Sequence, residues 1–487
     1  MHQWLLKRKI LIKRTAVYAL MTLAVVVVVT FIVFFVLGFR FDADNGRIEQ
    51  YSFLQFGTSP SGASVTVDGV EIGYKTPNKT SVRAGQHQIG MSKDGYEPWQ
   101  KTVNVKPGTI TWLNYVILVP KKLAVESVVK YDSIYSSLAS LEGRSMIVQK
   151  QSATPSFELA DLSSDTVKST KLIIPTNIYS DAAKAGITHA FNIIKWDDGG
   201  RYVLVKHSYS DKEEWLVLDT QDANLTKNIT RIFNIPISNI SFSGTSGNEF
   251  YILNQSDIRK LNLSAGTISK PLVSNVTSFS VYKSNIITYI GVDISAVGGQ
   301  VAGLYRDGDT AVHVLRTTTD KTAILHIATA HYYVADYIAI SDGKKVDILS
   351  GSYPNSASDN TTSMKIIATY ATKEDVQNLS FSPIGEYILT QTGANYSSYD
   401  LEYQTISSST IEGTGNVAQL KWLDENYLWS DRSGNLIIRE FDGTNSHTIA
   451  PVLIGQDAAL THNGKYIYSI NKSSTGYQLQ RVLLILP

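Results

Sequence analysis

The 487-residue chain holds nine histidines and 43 acidic residues, and their spacing decides which chemistry is open to it. No Gly-x-Ser-x-Gly elbow presents a nucleophilic serine; Gly244-Thr-Ser-Gly comes nearest and lacks the spacing. There is no His-Glu-x-x-His pair, phosphate-cradling glycine loop or dinucleotide fingerprint. His326 and His331 are five residues apart, which on one strand puts them on opposite faces. The paired acids Asp197-Asp198, Glu213-Glu214 and Asp424-Glu425 read as solvated turns, while Ser341-Asp-Gly and Ser430-Asp-Arg-Ser-Gly resemble Asp boxes without the full pattern or its Trp and read as structural turns. A carboxylate pair facing across a channel would suit glycoside cleavage, and no stretch points to one. The sequence is therefore read as a non-enzyme with catalytic, cofactor and metal residues none, and with ligand-binding residues unknown.

Tyrosine is the one compositional oddity, with 27 copies. Tyr202, Tyr209, Tyr387, Tyr396, Tyr399 and Tyr403 lie in or beside predicted strands. Tyr favours strands for packing reasons, and it also gives apolar area with a polar tip for sugars or a protein partner. Both readings stay open at this point.

What places these residues is a stretch without charge, Ala16 to Gly38, AVYALMTLAVVVVVTFIVFFVLG. As a helix its 23 residues are about 34 Å long, enough to cross a hydrocarbon core of about 30 Å. Lipid forces the helix, because each backbone polar group must be satisfied within the segment. Residues 1–15 carry Lys7, Arg8, Lys9, Lys13 and Arg14 and no acid. The positive-inside rule then puts 1–15 in the cytoplasm and everything after 38 outside. A cleaved signal would have a shorter apolar run ending in small residues; this one ends FFVLGFRF. The expectation is a single-pass, uncleaved anchor in a cell membrane.

Beyond the basic tail the chain has 39 basic and 43 acidic residues, which argues against a nucleic-acid partner. With no cysteine there is no disulfide framework, which suits a bacterial or archaeal exterior. Residues 39–50 read as a polar linker. Within it Asp42, Asp44 and Asn45-Gly46 lack the later ligands of a calcium loop and read as a plain turn.

Residues 51–120 read as a compact β unit. Ala63, Val65 and Val67 alternate, Asp68-Gly69 is a hairpin signal, and a second Asp94-Gly95 turn precedes Tyr96 and Trp99. Five or six short strands suggest a small sandwich. The stretch SPSGASVTVDGVEIGYKTP, followed by AGQHQIGMSKDGYEPWQKTVNV, resembles a PEGA domain. The matching positions are Pro60, Gly62 and Ala63; Asp68 and Gly69; Thr76 and Pro77; and Gly95 and Tyr96. Ser61 stands where the family name has Glu. The resemblance implies a membrane-anchored, surface-exposed protein, and the family brings no catalytic residues.

Residues 121–487 are all strand and turn, with a blurred repeat. Units begin near Ser137, Asn192, Asn239, Thr277, His326, Asn378, Gln419 and Ala458. Intervals of about 38 to 53 residues fit the propeller range, where one four-stranded blade takes about 40–50. The stretch FSPIGEYIL is similar to the strand–turn–strand of TolB-like and WD40-like propellers, without the WD40 signature pairs. The count is eight, or seven with one irregular blade. The last unit ends with its third strand, so Lys122–Val129 is expected to supply the fourth.

The sequence thus predicts an all-β extracytoplasmic region, a PEGA-like β-sandwich plus a seven- or eight-bladed β-propeller, behind one transmembrane helix. The function expected is a membrane-anchored envelope protein that presents a binding or scaffold surface. Its partners are the bilayer and envelope polysaccharide or another envelope protein. A docking subunit of a secretion, pilus or transport assembly is the alternative, and an exported hydrolase or lyase the third.

Overall fold

The computed structural model describes residues 2–36, 38–42, 46–295, 298–320, 322–355, 364–413 and 419–487, with side chains from residue 12 onward. Two compact units divide it, residues 1–122 and 123–487.

In the first unit one helix runs His2–Val36. Its Ile12–Val36 part has a mean hydropathy of 3.0 and no buried portion, long and apolar enough to cross a bilayer. The helix starts earlier than the apolar run because Lys and Arg are good helix formers. It stops at Val36, where Gly38 takes a positive φ of 82° and returns its N–H to the Phe35 carbonyl.

Residues 39–50, expected as a linker, instead form a hairpin. Phe39–Asp42 pairs antiparallel with the start of Arg47–Ser59, Phe39 opposite Gln50. The turn read at Asp42–Gly46 lies partly outside the described residues. Charged side chains hid the alternation of Phe39, Phe41 and Ile48. Arg47–Ser59 continues between Asn78–Arg83 (antiparallel) and Ile110–Ile117 (parallel). A second sheet carries Val70–Lys75, Ser64–Val67, Gly85–Ser92 and Trp99–Val105 in that order. Both sheets feed one core that includes Leu54, Phe56, Val65, Ile89, Met91 and Trp99. Asp68 and Gly69 both have positive φ, as the twist-matched two-residue hairpin demands. The buried Thr76 hydroxyl takes the Ala63 N–H at 3.0 Å and meets the Thr58 hydroxyl at 2.6 Å, tying the Thr-Pro corner to the Gly-Ala opening.

The second unit is eight consecutive four-stranded antiparallel sheets. They span residues 136–173, 189–228, 239–268, 276–318, 325–371, 378–410, 421–451 and 458–483, blades one to eight. Blade eight supplies only three strands from its own stretch. The fourth is Val125–Tyr131, paired along Gly476–Leu483 with Tyr131 opposite Tyr477. The ring is therefore closed by one chain end on the other, which removes the open edges a row of sheets would leave. Blade one also touches blade eight directly. Asp457 donates its N–H to Ser137 at 2.9 Å, and its carboxylate accepts the Ala139 N–H at 3.0 Å.

Why the first hairpin of several blades forms is written in four residues. Ser140, Asp197, Ser382 and Thr461 each bond the strand-opening residue five positions on in both directions: backbone N–H to its carbonyl, and side-chain oxygen from its N–H. Three positions on stand Gly143, Gly200, Gly385 and Gly464, all with positive φ. Each donates its N–H back to the first residue's carbonyl. A Cβ at Gly143 would collide with the Leu460 carbonyl oxygen across the seam to blade eight. Gly143→Ala combines that collision with a φ of 62°, so a loss of about 2–4 kcal/mol is expected, read from denaturant midpoints against a Glu142→Ala control.

The cores lie between blades. Phe157 and Leu172 of blade one meet Phe191, Val203, Val205 and Leu216 of blade two in one cluster. Such burial is why a lone four-stranded sheet is unstable and a stack is not.

Candidate functional site

Blade two consists of His189–Trp196, Tyr202–Tyr209, Lys212–Asp219 and Lys227–Asn228. The tight turn at Ser210-Asp211, both with positive φ, fixes the register so that His207 faces Glu214, while Phe191 faces His207 from the other side. The three residues form one row across three strands, and His207 is wholly buried.

Glu214, 3% exposed, accepts four hydrogen bonds. His207 Nδ1 lies at 2.8 Å, Asn228 Nδ2 at 2.8 Å, the Ser180 N–H at 2.8 Å and the Ser180 hydroxyl at 2.7 Å. Burial alone would raise the carboxyl pKa; the His207, Asn228 and Ser180 bonds overcome it and hold the group at about 2. A carboxylate there only accepts, so His207 Nδ1 carries the proton. His207 Nε2 sits 2.9 Å from His189 Nδ1. In the neutral pair His189 Nδ1 donates, which leaves the His189 Nε2 lone pair outermost. The His189 pKa is lowered, first by burial and then by the neighbouring His207. Phe191 stacks on His207 at 4.3 Å and Tyr209 at 4.9 Å, with Tyr179 edge-on at 5.2 Å.

Ser180 and Tyr179 come from residues 174–188, the longest connection between blades. This segment lines an open hollow of about 710 Å³, with Asn177, Tyr179, Ser180, Asp181, Lys184 and Arg231 among its walls. The segment is fastened from below: Asn228 Nδ2 reaches the Ile178 carbonyl at 3.0 Å, and Arg231 reaches the Asn177 carbonyl at 2.8 Å. The result is a carboxylate–imidazole–imidazole chain beside a fixed, polar concavity.

The three acidic pairs read as solvated turns are mostly not solvated. Glu214 lies within a strand, since the hairpin turn at Ser210-Asp211 is three residues earlier than its polarity suggested. Asp197 is 1% exposed and accepts the N–H groups of Gly199, Arg201 and Tyr202. Glu425 reaches across to blade six, accepting from the Ser382 hydroxyl at 2.5 Å and the Ile384 N–H at 2.6 Å. Burial raises Glu425 and Glu386 to about 7 and Asp424 to about 6.

A carboxyl raised in the fold favours the folded state at low pH, and that stability is lost as pH rises through about 7. Glu386→Gln is accordingly expected to raise the melting temperature at pH 8 and to leave it nearly unchanged at pH 4, below the unfolded value of 4.5. A thermal scan at both pH values reads this directly.

Of the six tyrosines singled out, Tyr387, Tyr396 and Tyr399 are buried between blades, and Tyr202, Tyr209 and Tyr403 are half-buried. His326 and His331 lie apart as their spacing requires: one bonds the Val376 carbonyl, the other Asp336. Among the described residues no group of three or more His, Asp or Glu is placed to hold a metal. The sequence reading missed His189, His207, Glu214, Ser180 and Asn228. The available signal was hairpin arithmetic about Ser210-Asp211, which pairs position 207 with 214.

Fold and site together define a β protein with a PEGA-type sandwich and a closed propeller, behind one helix long and apolar enough to cross a membrane. Residues 52–119 match the PEGA domain family. No curated protein sequence matches the chain. Among solved structures, the C-terminal WD40 domain of Sif2 is similar at 12% identity, with 74% of this chain and 98% of that one covered and a TM-score of 0.48. Kluyveromyces lactis Hsv2 follows at 8% identity, 72% and 98% coverage and a TM-score of 0.40. An oligogalacturonate lyase in complex with manganese aligns at 12% identity, 73% and 99% coverage and a TM-score of 0.39.

Proposed function

We propose that the chain is a non-enzymatic, membrane-anchored cell-envelope protein. Its N-terminal tail is cytoplasmic, and its PEGA domain and propeller stand on the outer side of the membrane as a binding and scaffold surface. The reading rests on one observation above others. Among the described residues one exposed apolar helix, with five basic residues and no acid before its uncharged run and two basic against three acidic residues just after it, precedes a β sandwich with its own core and a closed propeller. Such a surface needs rigidity rather than a reactive centre, and ring closure supplies it.

The test is co-sedimentation of the detergent-solubilised chain with isolated cell-wall material at low and high salt. Retention through high salt supports specific binding of an envelope polymer. Release at moderate salt means charge attraction alone, and no retention transfers the reading to a protein partner.

That second reading, a docking subunit of a larger envelope assembly, has its own support. Tyr333 and Val334, at the first turn of blade five, are 72% and 96% exposed, and Ile384 of blade six is 60% exposed. The blade-six turn packs on the end of the blade-five strand that leads into Tyr333, since a Cβ at Gly385 would lie 2.8 Å from Ala330. Exposed apolar tips on adjacent blades favour contact with a protein.

A further inference from the structure

We propose that the hollow beside blade two binds an oxyanion, a carboxylate or phosphate, carried on an envelope polymer, and that Arg231 and Lys184 hold it. The inference rests on the envelope-binding reading and names the ligand chemistry and the residues.

The walls are built rather than loose. Ser180 is pinned by two bonds to a buried carboxylate, Ile178 by Asn228, Asn177 by Arg231, and Lys184 donates its N–H to the Asp181 carbonyl at 3.0 Å. A concavity fixed before binding loses little freedom when a ligand arrives. A structureless connection of this length inside a compact unit is more often functional than not.

The charges are unspent. Arg231 gives one N–H to a backbone carbonyl, and neither it nor Lys184 has a carboxylate partner among the described residues. Arginine's planar fork matches the two oxygens of a carboxylate or phosphate, with lysine as a point charge beside it. Asp181 is the one acid of the wall, and its charge is near enough to favour protonated His189.

His189 adds a pH handle. Burial and His207 of the second strand hold it neutral, while Asp181 of the loop and Glu214 of the third strand favour its charged form. Tyr179, whose ring meets it edge-on at 5.8 Å, brings no charge at working pH, and its own pKa is raised by burial. His189 is not itself a wall residue but packs behind Tyr179, so when the imidazole gains a proton below the ordinary histidine range it adds positive charge behind the wall. Anion affinity therefore rises on acidification.

The experiment titrates the full chain in detergent with three polymers: alginate for carboxylates, poly(glycerol phosphate) for phosphates and dextran as the neutral control. At least one anionic polymer is expected to bind tenfold or more tightly than dextran, and several-fold more tightly at pH 5.5 than at 7.5. Lys184→Gln with Arg231→Gln is expected to lower that affinity tenfold or more, while Arg231→Lys retains part of it. Lys184→Gln alone, at an exposed side chain without partners, keeps the test independent of folding. Equal binding of dextran, or wild-type affinity in the double variant, overturns the proposal. Undiminished retention of the double variant by cell wall overturns it and leaves the envelope reading intact. Failure of the wild type to bind wall removes both.

Discussion

A chain lacking residues 123–131 is expected to lose its closed propeller. The deletion removes the outer strand of blade eight, and with it buried Tyr131 and the partly buried Val128 and Val129. At about 1.5–3 kcal/mol for each fully buried side chain, the direct loss is roughly 4–6 kcal/mol. It also exposes the backbone edge of Gly476–Leu483 and frees Arg481, whose Nε now meets Glu126 at 2.7 Å. On a unit this size that corresponds to a fall in the melting midpoint of about 5–8 °C, together with self-association through the bare edge. Circular dichroism melts and light scattering read the two effects. The PEGA sandwich has its own core and should melt as before, which makes it the internal control. An unchanged propeller midpoint would mean that the ring holds by blade-to-blade packing alone.

That closure was legible in the sequence because the repeat ended one strand short. The eight unit starts read from Ser137 to Ala458 each fall in or next to the first strand of a blade. Apolar strands separated by Ser-x-x-Gly or Asp-x-x-Gly carry their own geometry, since the side-chain oxygen and the positive-φ glycine make the turn locally. The PEGA unit was legible for the same reason, through Asp68-Gly69 and Thr76-Pro77.

What stayed hidden depends on facing rather than on pattern. Glu213-Glu214 looks like one polar pair, yet Glu213 is turned outward to Lys206 while Glu214 is buried on His207. Asp347 is wholly buried, bonded to Thr369 at 2.6 Å and paired with Arg316 of the preceding blade. Lys345, two positions earlier, also pairs with Asp347 at 3.1 Å, but the Arg316 partner is invisible in sequence because it lies on a neighbouring sheet. Residues 39–50 were misread for a third reason: Phe41 and Ile48 pair across the hairpin but stay exposed among charged neighbours, so no buried apolar face announces the strands.

The second large effect is expected at Glu214. Glu214→Ala leaves His207 Nδ1, Asn228 Nδ2 and the Ser180 N–H without their acceptor in a dry site, and breaking a buried pair in this way costs about 3–5 kcal/mol. The loss has a pH signature that separates it from a packing defect. Glu214 is held at about 2, below the usual 4.5, so its contribution is complete above pH 4.5 and disappears as pH falls toward 2. The depression corresponds to about 3 kcal/mol at neutral pH, and by pH 3 roughly half of it is gone. Denaturant melts of wild type and Glu214→Gln should differ by a constant amount from pH 8 to about 5, then converge as acid protonates the unfolded carboxyl. His189 works in the same direction at higher pH. Its folded value is lowered, so stability declines as pH drops through the ordinary histidine range. His189→Phe should flatten that upper step and leave the Glu214 step in place. Two separable steps would mean that the carboxylate and the outer imidazole titrate as distinct members of one chain. A single merged step, shifted as a whole by either substitution, would mean that Glu214, His207 and His189 share their protons too tightly to be told apart.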